Sequence, residues 1–573
     1  MKRRNFIQSI ALSTATASGL SFTNKTKSSS TKKERLKTNA SLNTDLVIIG
    51  GGLGGVAAAI AALRNGLTVV LTEETDWIGG QLTSQGVPPD EHPWIETHGA
   101  PRSYRQLRNG IRDYYKRYYP LTDEAKQSDH LNPGAGQVSR LCHEPKVALA
   151  VLIEMLAPYI STGRLTLLTE HKPINADVRN TEVNSISIQS LRSNQKIKLI
   201  APYFVDATEL GDLLPLTGTA YGTGTESKTE TNENHAPEQA DPKNNQSFTM
   251  CFAMDYIPGE DHVIEKPVEY DFWSKHIPNL TPAWSGPLLD LQYSQPSTLK
   301  PKKLAFDPDG KDTGERLNLW LYRRMIDKRN FVEGTYAGDI TLVNWPQNDY
   351  MLGNLVDVDQ QTFDKHIYHA KQLSLSLLYW LQTEAPRQDG NKGWPGLRLR
   401  KDIMGTDDGL SKYPYVRESR RIKAMFTVLE EHVGKEQWEI TNRQQSKGKS
   451  ARFYDSVGIG YYHIDLHPTS NGNNYIDFPS IPFEIPLGSL IPIRMENIFP
   501  ACKNIGTTHI TNGCFRLHPV EWSIGEAVGS LISFSILKQV KPTAVREQKE
   551  LLSSFQVFLK QQGIETSWPV DMP

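Results

Sequence analysis

The stretch DLVIIGGGLGGVAAAIAALRNGLTVVLTE, residues 45–73, reads as strand, turn, helix and strand. Asp45 to Ile49 is the apolar run expected of a strand buried in a parallel sheet. Leu53 to Leu63 is alanine-rich and helical, and Asn65-Gly66 stops it. Thr68 to Thr72 returns as the second strand. Gly50, Gly52 and Gly55 satisfy the G-x-G-x-x-G spacing, with the strand before and the helix after that this pattern requires. Gly50 permits the tight turn, Gly52 lets backbone approach a pyrophosphate, and Gly55 lets helix and strand pack closely. The phosphates of such a ligand sit on the helix N-terminus, where unpaired N–H groups and the dipole favour negative charge. Glu73 ends the second strand about 20 residues beyond Gly50, where an acid accepts hydrogen bonds from ribose hydroxyls. Glu74 is a neighbour that competes for the same assignment. With Gly51 and Gly54 in the same turn, the stretch predicts an α/β chain with a Rossmann-type dinucleotide site.

Outward from this unit, Gly79-Gly80-Gln81 follows the acid after a short connection, and Val205-Asp206-Ala207-Thr208 ends a later buried strand. Far down the chain, Asn497 to Gly506 leads through a polar loop, His509 to His518, into a helix opened by Pro519. Val520, Ile524, Val528 and Leu531 recur there at helical spacing, and Gly525 and Gly529 allow close packing. These three segments resemble signatures of the glutathione-reductase-type flavoproteins. The pattern departs at Glu209, where that family has glycine, and at Cys502, where many members have glycine. The resemblance implies FAD as cofactor, with Gly80, Gln81, Asp206, Asn504 and His518 beside it in addition to the glycines and Glu73. It also implies a last helix whose N-terminus points at the flavin pyrimidine. From about 44 to 573 the chain is similar to the large group of FAD-dependent oxidoreductases, and distantly to the flavin subunit of heterodisulfide reductase. Residues 138–145 and 507–522 look like exported members of that group.

The fold so implied is α/β: a discontinuous Rossmann-like FAD-binding domain, 44–215 and 480–540, with an inserted α+β cap or substrate domain at 216–479 and a helical tail at 541–573. Helices are predicted over 103–119, 145–156 and 519–540, and a small antiparallel sheet over 165–199. Residues 223–246 are polar and read as a long mobile loop, and 23–43 as a disordered spacer. Lys2-Arg3-Arg4-Asn5-Phe6-Ile7 and the weakly apolar run to Phe22 match a twin-arginine signal over 1–22, predicting a periplasmic or secreted protein. That run is too short to span a bilayer stably, so no stable membrane span is expected. A net charge of −1 offers no global field for nucleic acid. Cys142, Cys251, Cys502 and Cys514 form no ligand-spaced cluster, so no metal or iron–sulfur site is expected within the chain.

Chemistry beyond the cofactor is assigned to four candidates. His509 and His518 flank the polar loop before the last helix, as an acid or base and a flavin contact respectively. His463, Asp465 and His467 alternate along a predicted strand and would share one face. Such a face serves as a base with its orienting carboxylate, as a metal pair, or as a polar strand surface. Arg421, in Arg417-Glu-Ser-Arg-Arg421, would hold an anionic substrate or belong to an ion-paired surface. Asn344-Trp-Pro-Gln-Asn-Asp-Tyr350 and Trp394-Pro-Gly396 suit a carbohydrate-like ligand. The expected function is hydride transfer between a small polar substrate and FAD, with an unidentified electron acceptor. The alternatives are a flavin electron-transfer subunit with an iron–sulfur partner, and a carbohydrate-active lyase or binding protein.

Overall fold

The computed structural model describes residues 40–310, 313–441 and 450–569, and Asn39–Pro573 make one compact unit. The signal expected at 1–22 and the spacer up to residue 39 lie outside the described residues. Strands β1 (Leu46–Ile49), β2 (Val69–Glu73), β3 (Leu165–Thr169), β4 (Tyr203–Asp206) and β5 (Ile498–Pro500) form one parallel sheet, ordered β5-β4-β1-β2-β3. Both of its faces are covered, which is why β1 carries no polar residue. Leu46 and Ile48 join the core on the side of helix α1 (Leu53–Arg64). Val47 and Ile49 point the other way, into a cluster with Ile186, Ile188 and Leu199 of an antiparallel sheet. The period of two along the strand therefore feeds two cores.

Helix α2 (His518–Lys538) is buried from His518 to Ser535, with apolar residues spread around it and the carboxylates of Glu521 and Glu526 buried among them. It is long and apolar enough to cross a membrane, yet it lies inside the protein. Its glycines bring it against α1. A Cβ on Gly525 would fall 2.0 Å from the Gly54 carbonyl oxygen, and one on Gly529 2.3 Å from that of Ala58. A second core, rich in tryptophan, gathers around the four-stranded sheet of Phe252–Tyr256, Arg324–Ile326, Ile340–Val343 and Leu397–Leu399 and the long helix Gln360–Thr383.

Several local expectations need correction. Leu165–Thr169 does not open the antiparallel sheet; it pairs in parallel with β2, and the antiparallel part begins at His171. Ala40–Asn43, assigned to the spacer, is a strand in parallel register with Ala40 opposite Ile197. Residues 223–246 are not a solvated loop. Ser227 and Glu230 form a capping box, and Asn244, Asn245 and Gln246 are buried. Several polar side chains there, among them Glu230, Asn244 and Gln246, pair with protein rather than water, which composition cannot distinguish. The segment after Thr508 is also helical, His509–Phe515, because the Thr508 side chain accepts from Thr511 N–H.

Candidate active site

The dinucleotide end is built mainly from backbone. Gly50 has φ +97°, and a Cβ there would lie 2.2 Å from the Ala207 oxygen. A Cβ on Gly54 would lie 1.5 Å from the Ala501 oxygen, and one on Gly55 2.2 Å from the Gly50 oxygen. Gly52 is different. It caps α1 without a side-chain partner, and its Cβ would meet the carboxylate oxygens of Glu209 and Glu521 at 3.3 Å and the Ala207 oxygen at 3.4 Å. The turn thus closes hardest against backbone at three glycines and less so at the one expected to face phosphate.

Glu73 is held at the tip of β2. Its Oε2 accepts from Gly51 N at 2.9 Å, and its Oε1 accepts from Thr75 N at 2.9 Å and Thr75 Oγ1 at 2.8 Å. Burial outweighs these bonds and pushes its carboxyl up to about 7. Gly80 sits beside the same end, with Glu209 Oε1 2.7 Å from where its Cβ would be. Gln81 donates to the Arg516 carbonyl at 3.0 Å and to the Glu521 carboxylate.

The other residues assigned to the cofactor are engaged within the protein. Asp206 accepts from Thr208 N, Thr208 Oγ1 and Leu213 N, so it organises its own turn. Asn504 donates to the Asp206 carbonyl at 3.1 Å and accepts from Cys502 N at 3.1 Å. His518 Nδ1 accepts from Asp90 N at 3.1 Å, and burial lowers the ring to about 3, so it is neutral.

FAD fits this end. Gly52 and the helix terminus suit the diphosphate, and Glu73 suits the ribose. Next to them the amide of fully buried Gln85 has both its nitrogen and oxygen unpaired, as a polar ring edge would require. Glu209 and Glu521 do not make the end anionic. Buried Lys503 pairs with Glu209, and burial raises the Glu521 carboxyl toward its neutral form. The same lysine explains why Glu209, Cys502 and Glu521, whose donor atoms lie within 4.8 Å of one another, do not read as a metal site. Its ammonium takes the place of a cation there, and the Cys502 thiol, raised by burial, donates to Glu521 at 3.1 Å.

The start of α2 leads from this end to a cavity of about 320 Å³. His463, Asp465 and His467 all line it, on either side of and within the short strand Ile464–Leu466. His467 Nδ1 lies 2.6 Å from Asp349 Oδ2. Asp349 is fully buried and also takes Thr249 Oγ1 at 2.6 Å and the Arg417 guanidinium at 2.9 Å. Burial alone would raise its carboxyl, but the charges of Arg417 and His467 outweigh it and hold the group below its ordinary range. His463 Nδ1 lies 2.8 Å from Asp477. Burial lowers this ring, yet the Asp477 hydrogen bond and the nearby carboxylates together raise it above its ordinary value. Arg516 holds Asp465 at 2.8 Å, and despite burial the surrounding cations bring Asp465 down to about 2.

His509 and Arg421 are not in this cavity. His509 Nδ1 is 2.9 Å from both oxygens of Glu418, and Arg421 pairs with Glu418 and Glu226. They form one buried ion-pair network, because the unforeseen helix at 509–515 turns His509 toward Glu418. Asp90, Arg323, Tyr415 and Asp349 were missed by the sequence reading. They are isolated in the chain and meet only by folding; Asp349 alone carried a signal, as the polar end of the Trp345–Pro346 turn. All four cysteines are buried and unpaired, and burial pushes the Cys142 thiol up to about 12.

The family described as FAD dependent oxidoreductase matches residues 45–558. No curated protein matches the chain. Among solved structures, a variant of the quinol fumarate reductase of E. coli overlaps 91% of this chain and 74% of its own, at 11% identity and a TM-score of 0.32. A geranylgeranyl bacteriochlorophyll reductase-like protein from Thermoplasma acidophilum overlaps 92% and 85%, at 8% identity and 0.31. An L-proline dehydrogenase from P. horikoshii overlaps 33% of this chain, at 15% identity and 0.18; the chain spans only 25% of that protein. These likenesses are too slight to transfer a substrate.

Proposed function

The chain belongs to the FAD-dependent oxidoreductase family, and from that premise we propose that it dehydrogenates a small polar organic substrate in the cavity beside the start of α2. When bound, FAD supplies the acceptor for the substrate's hydride. The protein supplies a place to put the proton. The His467–Asp349 pair carries this reading. Asp349 stays ionised because Arg417 neutralises it, and it accepts the Nδ1 proton of His467. In the neutral form of the ring, that contact leaves Nε2 as the unprotonated nitrogen, which can take a proton from a substrate hydroxyl. The nearest charged group to that nitrogen is Asp465, 3.7 Å away, which stabilises the imidazolium once formed. Asp465 is in turn held by Arg516, whose carbonyl accepts from Gln81. The proton-accepting group is therefore tied to the cofactor end through a short chain of contacts.

The test is anaerobic bleaching of the bound flavin by a panel of small hydroxylated compounds, repeated with His467→Asn. The expected result is flavin reduction by at least one compound, slowed by roughly 10²–10⁴-fold in the variant at neutral pH, with FAD content unchanged. Raising the pH should recover part of the loss, since a more ionised substrate needs the base less. A variant within a few-fold of the parent at every pH would refute the assignment.

A further inference from the structure

The cavity wall is short of hydrogen-bond acceptors. Six lining residues carry a buried side-chain polar atom without a partner: Nε of Arg323, Arg417 and Arg516, Nδ2 of Asn344, Nε1 of Trp345 and the hydroxyl of Tyr475. Five of these atoms are donors only, and the sixth can donate. No carboxylate oxygen of a lining residue is among them. The acids of the wall are instead engaged by cations, Asp465 by Arg516 and Asp477 by His463, each at 2.8 Å.

Arg323 is the least well served. Its contacts with Asp90 are 3.3, 3.4 and 3.4 Å, although charge-assisted pairs normally close to about 2.7–2.9 Å. Arg108, elsewhere in the protein, holds Glu91 and Glu96 by four contacts of 2.7–3.1 Å. Asp90 cannot easily come nearer, because its own N–H is fixed on His518. Arg323 and Arg516 both lie within electrostatic reach of Asp90, Tyr415 and Tyr462, so the two guanidinium groups face a common region. A buried cation left this loosely paired favours an added anionic acceptor, and the planar guanidinium fork matches a carboxylate.

We propose that Arg323 and Arg516 receive a carboxylate, so that the substrate is a small hydroxylated organic acid rather than a neutral polyol or an amine. This rests on the oxidoreductase reading above and narrows it to one substrate class. An amine would add a cation beside Arg323 and Arg516. A neutral polyol would leave Arg323 with its long contacts to Asp90 and no second anion.

The test compares acetate with acetamide, which share shape and differ in charge, by saturation-transfer NMR on the FAD-loaded protein. Acetate is expected to bind at least about tenfold more tightly than acetamide, a difference of about 1.4 kcal/mol. Arg323→Gln should bring the ratio close to one. Arg323→Lys keeps the charge beside Asp90 but loses the fork, and should retain part of the preference. FAD content and unfolding midpoint show whether each variant is folded, and the parent comparison needs no variant. Equal binding of the two probes, no binding of acetate, or a preference that survives Arg323→Gln would overturn the proposal. The readout involves no turnover. If neutral polyols bleach the flavin and acetate does not bind, the carboxylate site fails while the oxidoreductase reading stands. If acetate binds as expected and nothing bleaches the flavin, the reverse holds.

Discussion

The glycine turn and the substrate cavity lie at the two ends of one helix start, yet they are made in opposite ways. The turn is a product of backbone. Five glycines within six residues fix its shape, and a methyl group at three of them would strike a carbonyl oxygen at 2.2 Å or less. The cavity is a product of side chains drawn from residue 90 to residue 516, and its walls are arginine, aspartate, histidine and tyrosine rather than backbone. The first can be specified by a short word in the sequence. The second cannot, because its members acquire meaning only through the partners that the fold gives them. A cofactor site made of backbone can stay constant while a side-chain cavity is rebuilt for another substrate, and this division accounts for how the chain can state its cofactor plainly and its substrate hardly at all.

That contrast sets the order of effects expected from substitution. The largest belongs to the turn. Gly54→Ala places a Cβ 1.5 Å from the Ala501 oxygen, where two backbone segments have no room to part. It should cost about 3 kcal/mol or more of stability and release FAD, read by unfolding midpoint and flavin content. Stoichiometric FAD with an unchanged midpoint would show that the turn is looser than its contacts indicate. A cavity substitution should separate binding from chemistry. Asp349→Asn removes the charge that orients His467, and is expected to lower turnover by roughly 10²–10³-fold with FAD still bound. Loss of flavin from that variant would mean that the two regions are not independent.

The smallest effect concerns His463. Its protonated form is favoured in the folded protein by Asp477, so its contribution to stability is complete below pH about 6.5 and is lost as pH rises through the higher folded value. Asp477→Asn should flatten this part of the stability profile. The change should stay below about 1 kcal/mol, because the His463 side chain is 41% exposed and solvent screens the pair. Unfolding midpoints of parent and variant across neutral and mildly alkaline pH measure it. Identical profiles would remove His463 from the cavity's charge balance.

The same division decides what was legible in the sequence. The parallel strands at 46–49, 69–73 and 203–206 and the long C-terminal helix could be read, because burial on both faces leaves continuous apolar runs. The segments at 223–246 and 509–515 could not, since a polar residue paired inside a protein looks the same in composition as one facing water. At the site, His463, Asp465 and His467 do line one cavity, although only Asp465 lies within the three-residue strand. Their partners, Asp477 and Asp349, lie elsewhere in the chain and left no mark beside them. His509 shows the opposite failure. Its neighbours in sequence suggested a role near the flavin, and its neighbour in space, Glu418, holds its Nδ1 at 2.9 Å from both carboxylate oxygens.

The contact of Gly54 with Gly525 has a consequence for the protein's birth. The sheet and its covering helix need residues from both ends of the chain, so the glycine turn leaves the ribosome long before the helix that braces it. At typical synthesis rates of about 5–20 residues per second, the interval is on the order of 25–95 s. During that time the nascent chain exposes an alanine-rich helix and strands with nothing to cover one flank. A message cut short before codon 525 would then yield a chain that carries the whole nucleotide fingerprint and holds no nucleotide.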